Sequence, residues 1–263
     1  MADGRLELIR PDWPAPVRVR AISTTRMGGS SAAPYAELNL GIHVGDDADT
    51  VAANRAALAR AAGIDTSPGW LDQVHGTVVA DFDAANPDQH RVPPTADASI
   101  TTRPGRVCVV MTADCLPILL TDAAGTAVAA AHGGWRGLAA GVLEATIAAF
   151  RDRGIDPRDL LAWFGPAIGP AAYEVDQTVA AALSSEDSVA LSPGRAGRWQ
   201  LDLYELARLR LGRAGVARVY GGDLCTHADP ARFFSYRRDG VTGRQATLIW
   251  LGDDTRKGGG RIG

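Results

Sequence analysis

Runs of alternating and of continuous apolar residues predict strands and helices interspersed along the whole chain. Residues 17–23 alternate like a half-buried strand, whereas residues 49–62 are alanine-rich, begin with Asp and Thr and stop before a glycine, which predicts a helix. Short apolar runs predict further strands at 70–75, 77–81, 98–102, 107–112, 118–121, 126–131, 161–164 and 246–251. Further helices are predicted at 138–150, 177–183 and 201–211.

The order of these elements sets the expected fold class. Strands arrive in adjacent pairs as well as singly between helices, so we expect an α/β protein with a mixed sheet and helices packed outside it, not a doubly wound parallel fold. No linker is long enough to separate two domains. A single domain is therefore expected over residues 1–253, followed by a mobile tail at 254–263.

The composition is that of an ordinary globular protein and argues against several functional classes. The 263 residues are 46% hydrophobic and 22% charged, which allows a substantial core. The net charge of -3 and the lack of a Lys and Arg stripe argue against a nucleic-acid ligand. The amino terminus lacks the pattern of a signal peptide and no apolar run approaches a membrane span, so we expect a cytoplasmic protein without a membrane partner.

The cysteines point to single-residue chemistry. The three cysteines, Cys108, Cys115 and Cys225, form no C-x-x-C pair, so neither a disulfide framework nor a structural zinc knuckle is indicated. Cys108 and Cys225 are expected to be structural. Cys115 differs because it stands between an aspartate and a proline, just before an apolar run.

A hairpin of the predicted strands 118–121 and 126–131 would bring Cys115 close to a histidine. With a tight turn centred on Ala124 and Gly125, Pro117 lies opposite His132, and Cys115 is two positions further along. That offset corresponds to a diagonal neighbour at roughly 7 to 8 Å. A thiol and an imidazole would then meet at one end of the sheet.

A second histidine, His75, ends the predicted strand 70–75 and completes a candidate metal site. Zinc prefers tetrahedral N and S ligands, and three protein ligands leave a fourth position for water or substrate. Asp114, next to the thiol, is a candidate partner of the site or a proton shuttle. Two other interpretations remain open: Cys115 as a nucleophile with a histidine base, or as a small buried hydrophobic residue.

Two glycine-containing segments carry further candidate chemistry. In GGWRGLAAG at 133–141, a strand passes into a helix, and Arg136 offers a guanidinium suited to phosphate or carboxylate. In SYRRDGVTGR at 235–244, basic residues surround a D-G turn, which is typical of a solvated hairpin tip.

Several longer motifs occur in an order that is specific to one family. They are ISTTRMGGSS at 22–31, PYAELNLGIHVGDD at 34–47, LDQVHG at 71–76, ADASIT at 96–101, TADCLPILL at 112–120, AHGGWRGLAAG at 131–141, GPAIGPAAYEV at 165–175 and FFSYRRDGVTGR at 233–244. From about residue 18 to 251 the chain resembles the YfiH-like family, also called the laccase-domain or polyphenol oxidase family. It departs from many members in having Ala171 and Ala172 where a cysteine follows GPAIGP, and Gln245 where methionine is common.

The resemblance implies a fold, a metal site and an activity. The implied fold is a single αββα sandwich with mixed sheets, related to cysteine-hydrolase-like folds. The implied metal is a catalytic zinc on His75, Cys115 and His132, with copper left open because the same ligands serve both metals. The implied activity is phosphorolysis of adenosine, inosine and methylthioadenosine, together with deamination of adenosine.

Purine nucleoside and phosphate are thus the expected substrates. The candidates for binding them are Arg26, Asn39, His43, Arg55 and Arg136. A true laccase is rejected on ligand count, because the chain has only five histidines. Two alternatives stay open: an amidase that removes misincorporated serine from a cytoplasmic cell-wall precursor, and a non-enzymatic interaction module.

Overall fold

The computed structural model describes residues 6–84 and 92–252, and the predicted tail at 254–263 lies outside the described residues. Its strands are β1 (Leu8–Ile9), β2 (Val19–Thr24), β3 (Val79–Asp81), β4 (Ala98–Thr101), β5 (Val107–Thr112), β6 (Leu116–Asp122), β7 (Val128–Gly133), β8 (Leu160–Phe164), β9 (Glu174–Val175), β10 (Leu191–Pro193), β11 (Trp199–Leu201), β12 (Arg218–Gly221) and β13 (Gln245–Leu251). Its α-helices are α1 (Ala48–Ala62), α2 (Trp135–Ala140), α3 (Val142–Arg151), α4 (Gln177–Ala182), α5 (Leu203–Arg213) and α6 (Tyr236–Asp239). Short 3₁₀ turns occur at Pro157–Asp159, Pro170–Ala172 and Asp187–Ala190.

These strands form three sheets with both parallel and antiparallel pairs. A four-stranded sheet has the order β1-β2-β13-β5, and a six-stranded sheet has the order β12-β8-β6-β7-β4-β3. In the six-stranded sheet, β12 pairs with β8 and β3 with β4 in parallel, and the other pairs are antiparallel. A small antiparallel sheet has the order β10-β11-β9. The predicted mixed-sheet fold class is confirmed.

The two larger sheets pack face to face, with helices on their outer faces. Alternate residues of each strand point to opposite sides of the sheet, so each sheet contributes side chains to the core on both of its faces. The layer between the sheets contains Cys108, Val110, Leu119, Val128, Ala130, Trp163 and Ile249. Helices α3 and α5 cover the outer face of the six-stranded sheet, and α1 covers that of the four-stranded sheet. The predicted αββα sandwich is thus confirmed.

The hairpin that was predicted to position Cys115 has the expected register. Pro117 pairs with His132 across β6 and β7, as predicted. The connection is longer than a tight turn, because β7 begins at Val128 and not at 126. The Asp122 carboxylate accepts hydrogen bonds from three backbone N–H groups of the loop, at Ala124, Thr126 and Ala127.

Three predicted elements are wrong in detail. Residues 70–75 make one isolated bridge, at Asp72, and no strand. The predicted helix 138–150 is two helices, α2 and α3, which are separated at Gly141, where φ is +102°. Residues 235–244 form no hairpin tip, because Ser235 caps the short helix α6 instead. No helix within the described ranges is long and apolar enough to cross a membrane.

Candidate metal centre

The three predicted ligands meet at one end of the layer between the two large sheets. The donor atoms of His75, Cys115 and His132 all lie within 4.8 Å of one another, and this is the one such His, Cys, Asp or Glu group found in the described ranges. The Cys115 Sγ lies 3.7 Å from His75 Nε2. The two imidazole rings are nearly perpendicular, at an interplanar angle of 67°, with their centroids 4.8 Å apart. The arrangement leaves one side of the cluster facing a cavity, as an open metal site requires.

His132 is directed into this layer by the alternation of β7. Val128 and Ala130 face the opposite sheet, so the side chain of His132 lies on the same side. Its Nδ1 is 2.8 Å from Asp97 Oδ1, and its backbone N–H donates to the Asp97 carbonyl at 2.7 Å. The carboxylate fixes the ring orientation and leaves Nε2 for the cluster.

Asp97 also holds the loop that carries the other histidine. Its carboxylate accepts the backbone N–H groups of Val74, His75 and Gly76, at 3.2, 2.9 and 2.6 Å. His75 has a φ of +60°, a conformation that non-glycine residues rarely adopt and that these bonds stabilise. Sequence reasoning assigned Asp97 no role. The available signal was a charged residue inside a buried stretch, because a buried carboxylate needs partners.

Cys115 occupies the sharp connection between β5 and β6. Asp114, just before it, has a φ of +97°. The two carboxylate oxygens of Asp114 accept hydrogen bonds from the Thr226 hydroxyl at 2.6 Å and from the Arg237 N–H at 2.7 Å. Its carbonyl accepts the Ile168 N–H at 2.9 Å. Asp114 therefore joins the cysteine turn to the segment that begins α6.

The electrostatics of the cluster favour a thiolate. Burial opposes ionisation of Cys115, but the His132 charge and hydrogen bonds from both histidines outweigh it and lower the thiol pKa to about 6. Burial disfavours a charged His132, yet Cys115 and Asp97 raise its pKa to about 9. Hydrogen bonds from His132 and Gly76 likewise overcome burial and lower the pKa of Asp97. A deprotonated thiol is the form that binds metal ions.

Two neighbouring residues keep the donors at this spacing. A Cβ on Gly134 would lie 2.6 Å from His75 Cδ2 and 3.2 Å from Cys115 Sγ, so only glycine fits without displacing them. The Gln73 side-chain amide donates to the Met111 carbonyl at 2.9 Å and accepts the Met111 N–H at 2.8 Å. The His75 loop is thereby attached to β5 of the four-stranded sheet.

A cavity of about 520 Å³ opens in front of the donors. Its cationic wall consists of Arg136, Arg237 and Arg244. The Arg136 guanidinium lies 4.4 Å from the Trp135 ring, and that of Arg237 lies 4.9 Å from the Tyr173 ring. Its remaining lining includes His43, Met111, Thr112 and Tyr236. Size and lining are those of a small-molecule site.

The structure brings two of the five predicted substrate ligands to this cavity, His43 and Arg136. Arg26 does not line it, since its guanidinium donates to the carbonyls of Ala36 and Pro230. Asn39 is fully buried, and its side-chain Oδ1 accepts the Gly41 and Arg244 backbone N–H groups. Neither residue lines the cavity, because both side chains hydrogen-bond within loops.

Arg55 is also not among the residues that line the cavity. Its Nε and Nη2 both donate to the Leu40 carbonyl, and the guanidinium stacks 3.7 Å from the Trp70 ring. Burial lowers its pKa to about 10. Arg237 and Arg244 line the cavity in its place. The sequence of residues 235–244 is typical of a solvated hairpin tip, so it gives no sign that either arginine lines a cavity.

The chain matches known proteins over almost its whole length. A family profile described as multi-copper polyphenol oxidoreductase laccase matches residues 20–252. A purine nucleoside phosphorylase of Pseudomonas aeruginosa is 51% identical over 249 residues, covering 93% of the chain and 98% of that protein. Purine nucleoside phosphorylase YfiH of Escherichia coli is 49% identical over 247 residues, covering 93% and 99% respectively.

Solved structures agree with these matches. A crystal structure of a Neisseria meningitidis protein is 47% identical with a TM-score of 0.87, covering 94% of the chain and 99% of that protein. The crystal structure of a Bacillus licheniformis hypothetical protein, YfiH, is 30% identical with a TM-score of 0.85, covering 95% and 97%. Both likenesses therefore cover at least 94% of this chain.

Proposed function

The chain belongs to the multi-copper polyphenol oxidoreductase laccase family, and from this membership we propose that it is a zinc-dependent purine nucleoside phosphorylase that also deaminates adenosine. The relatives named purine nucleoside phosphorylase support an enzyme of this type. The observation that carries the proposal is that a His-Cys-His donor set and three arginines line one cavity. The substrates proposed are adenosine, inosine and methylthioadenosine, with inorganic phosphate.

The donor set fits zinc. Two imidazoles and a thiolate are borderline and soft ligands, and a carboxylate behind one histidine is the usual second partner of such a site. His75, Cys115 and His132 would hold the ion and leave one position open. Zinc bound there would supply Lewis acidity to a substrate oxygen or nitrogen. Copper binds the same ligand types, so the identity of the metal as zinc is itself part of the proposal.

Phosphorolysis requires an anion beside the ribose. It forms a bond from a phosphate oxygen to ribose C1′ and breaks the bond from C1′ to the purine nitrogen. Arg136, Arg237 and Arg244 line the same cavity and offer guanidinium groups, whose planar fork matches phosphate oxygens. We assign phosphate to these three side chains. The rings of Trp135 and Tyr236 provide apolar surface for a purine.

Deamination of adenosine would use the same donors with water in place of phosphate. It replaces the C6 amine by oxygen and releases ammonia. Asp114 is proposed to position the cysteine turn, because its two carboxylate oxygens accept hydrogen bonds from Thr226 and Arg237. His43 lines the cavity, and burial together with the nearby Arg244 charge lowers its pKa, which favours a neutral ring that can accept a hydrogen bond from the base.

Oxidase chemistry is a weaker candidate. A multicopper oxidase needs a histidine-rich cluster besides a copper held by cysteine and histidine. The chain has five histidines, and within the described ranges only His75 and His132 join the donor group. Removal of serine from a cell-wall precursor would use the same metal-binding donors. Analysis of the reaction products is therefore needed to distinguish it from nucleoside chemistry.

The proposal is tested by metal content and product analysis on one preparation. Purified protein is assayed for zinc and copper and incubated with adenosine, with and without phosphate, alongside Cys115→Ser and the matched Cys225→Ser variant. We expect adenine and ribose 1-phosphate only with phosphate, and inosine and ammonia without it. Both activities and the zinc should be lost in Cys115→Ser and retained in Cys225→Ser.

Each other result has a definite meaning. Stoichiometric zinc in a protein that leaves adenosine, inosine and methylthioadenosine unchanged would reject the nucleoside substrates. Release of serine from the cell-wall precursor by that protein would then establish the amidase. Full activity in metal-free Cys115→Ser would reject the zinc mechanism itself.

A further inference from the structure

Thr112 belongs to the cavity wall, and its side-chain hydroxyl has no hydrogen-bond partner. It is the last residue of β5, lines the cavity in front of the metal donors and is only 2% exposed. Its Oγ1 is buried and has no hydrogen-bond partner. A buried hydroxyl without a partner is unfavourable, and most such groups in folded proteins are paired. An unpaired one at a cavity wall is a position where a ligand group can bind.

The strand fixes where this hydroxyl lies. Cys108 and Val110 face the layer between the sheets, so alternation places Thr112 on that face too, the same layer into which His132 projects. Its position is held by pairing with Gln245 of β13, whose side-chain amide bonds the backbone of Phe234. A β-branched side chain on a paired strand has few rotamers. The group is therefore preorganised.

The other polar groups of the cavity have different roles. The Gln73 amide is occupied by the Met111 backbone. The arginines suit an anion, and Thr112 stands apart from them in chemistry because it is neutral and can both donate and accept. Its chain neighbours Met111 and Ala113 also line the cavity and are apolar. This part of the wall suits a neutral polar ligand with an apolar body.

We propose that Thr112 is a substrate-binding residue whose hydroxyl hydrogen-bonds the nucleoside and not the phosphate. This rests on the proposed nucleoside activity of the same site. A hydroxyl that bonds only the ligand has a distinctive effect: its removal weakens binding, yet it does not weaken the free protein. A hydroxyl with a purely structural role would behave in the opposite way.

The test compares Thr112→Val, which replaces the hydroxyl by a methyl group of similar volume, with Thr112→Ser, which retains it. We expect Thr112→Val to raise the KM for inosine and its calorimetric Kd about tenfold, the size expected for one lost hydrogen bond. The KM for phosphate and the zinc content should stay unchanged, and the Tm of the ligand-free variant should equal or exceed that of the parent. Thr112→Ser should restore inosine binding to within about threefold.

Unchanged inosine affinity in Thr112→Val with a lowered Tm would overturn the inference while the nucleoside activity stands. A raised KM for phosphate would overturn it as well. If the unsubstituted protein neither binds nor converts inosine, the proposed function fails and the inference fails with it. Should Thr112→Val not fold, Thr112→Ala also lacks the hydroxyl and is expected to show the same loss of inosine affinity.

Discussion

At the scale of single residues, Asp97 connects the two histidines of the candidate metal centre. It is fully buried, and its carboxylate accepts four hydrogen bonds, three from the His75 loop and one from His132. These hydrogen bonds allow the carboxylate to remain charged although it is buried. The geometry of both imidazoles therefore depends on one side chain.

Asp97→Asn should weaken the centre without removing a ligand. One oxygen of the carboxylate becomes an NH₂ group, which cannot accept the hydrogen bonds that this oxygen accepts in the parent protein. At least one buried hydrogen bond is therefore lost. We expect metal affinity to fall about 10- to 100-fold and unfolding free energy to fall by about 2 kcal/mol. Metal titration and urea unfolding measure the two effects.

The matched control is Asp81→Asn on the neighbouring strand β3. The Asp81 carboxylate is 49% exposed and pairs with Arg153 at the surface. Its loss should cost less than about 1 kcal/mol and leave metal affinity unchanged. Equal effects of the two substitutions would show that Asp97 has no special connection to the donors.

Gly134→Ala tests the spacing of the donors directly. The added methyl group would lie 2.6 Å from His75 Cδ2, closer than real contacts allow, so the imidazole must move. We expect loss of bound metal and of activity in a protein that still folds. The control is Gly212→Ala in α5, where nothing lies within 4 Å of the new Cβ and the helix should gain up to about 1 kcal/mol. Retained metal in Gly134→Ala would mean that the donors are not fixed as described.

At the scale of elements, strands with clear alternation of apolar residues were predicted well. Segments whose conformation depends on hydrogen bonds to residues distant in sequence were not. The register of Pro117 and His132 followed from counting, because hairpin pairing is local. The loop at 70–75 reads as a strand, but Asp97 and Met111, both distant in sequence, hold it in another conformation. The break at Gly141 depends on a left-handed residue within an otherwise helical pattern.

The candidate site shows the same division. The three metal donors could be proposed from residue type and strand ends, and the structure brings them together. Two of the cavity arginines, Arg237 and Arg244, could not be proposed. Arg237 follows Ser235 into a short helix, and its backbone N–H is bonded to Asp114, far earlier in the chain. Arg26 and Arg55 resemble anion ligands in sequence, yet carbonyl groups of loops occupy them.

A buried ion cluster joins α5 to the 3₁₀ turn Asp187–Ala190. The Asp187 side chain is fully buried and accepts from Arg210 Nη2 at 2.6 Å and from Arg213 Nη2. Arg210 also donates to the Ala139 carbonyl near the end of α2. Burial raises the pKa of Asp187, but hydrogen bonds from Arg213 and Arg210 outweigh it and hold the pKa below its ordinary value of 3.8.

This cluster predicts a pH dependence of stability. A carboxyl group whose pKa is lower in the folded state stabilises the fold at pH values above its unfolded-state pKa. This contribution is lost as the pH falls through the folded-state pKa. Asp187→Asn should cost about 3 to 5 kcal/mol at pH 7, and the difference from the parent should shrink below about pH 4. Urea unfolding at pH 7, 5 and 3 measures it.

Glu186→Gln provides the comparison for the cluster. Its carboxylate is 72% exposed and also pairs with Arg213, so its removal should cost less than about 1 kcal/mol at every pH. A pH-independent cost for Asp187→Asn, or an equal cost for both variants, would contradict the assignment.

At the scale of the whole molecule, the candidate metal centre links the two large sheets. His132 belongs to the six-stranded sheet, Cys115 lies in the connection between the sheets, and the His75 loop is attached to β5 of the four-stranded sheet through Gln73. An ion held by all three donors would bind the folded form and not the unfolded chain. Ligand binding of this kind stabilises the folded state.

Chelation should therefore lower the thermal stability of the whole protein. With metal at about 100 times its Kd, the loss is about 2.7 kcal/mol, which corresponds to a Tm lower by roughly 5 to 10 °C. Scanning calorimetry with and without a chelator, followed by zinc addition, measures the shift and its recovery. Cys115→Ser should be insensitive to the chelator, whereas Cys225→Ser should respond like the parent. No shift in the parent would mean that the donors hold no metal that matters for folding.

The position of β13 has a consequence for how the protein is made in the cell. β13 is the last strand of the described chain, yet it lies between β2 and β5 in the middle of the four-stranded sheet. Until these residues leave the ribosome, the nascent chain presents two unpaired strand edges, which favour association with other chains. Synthesis that stops short of Gln245 should yield aggregates or chaperone-bound chains, not a smaller active enzyme.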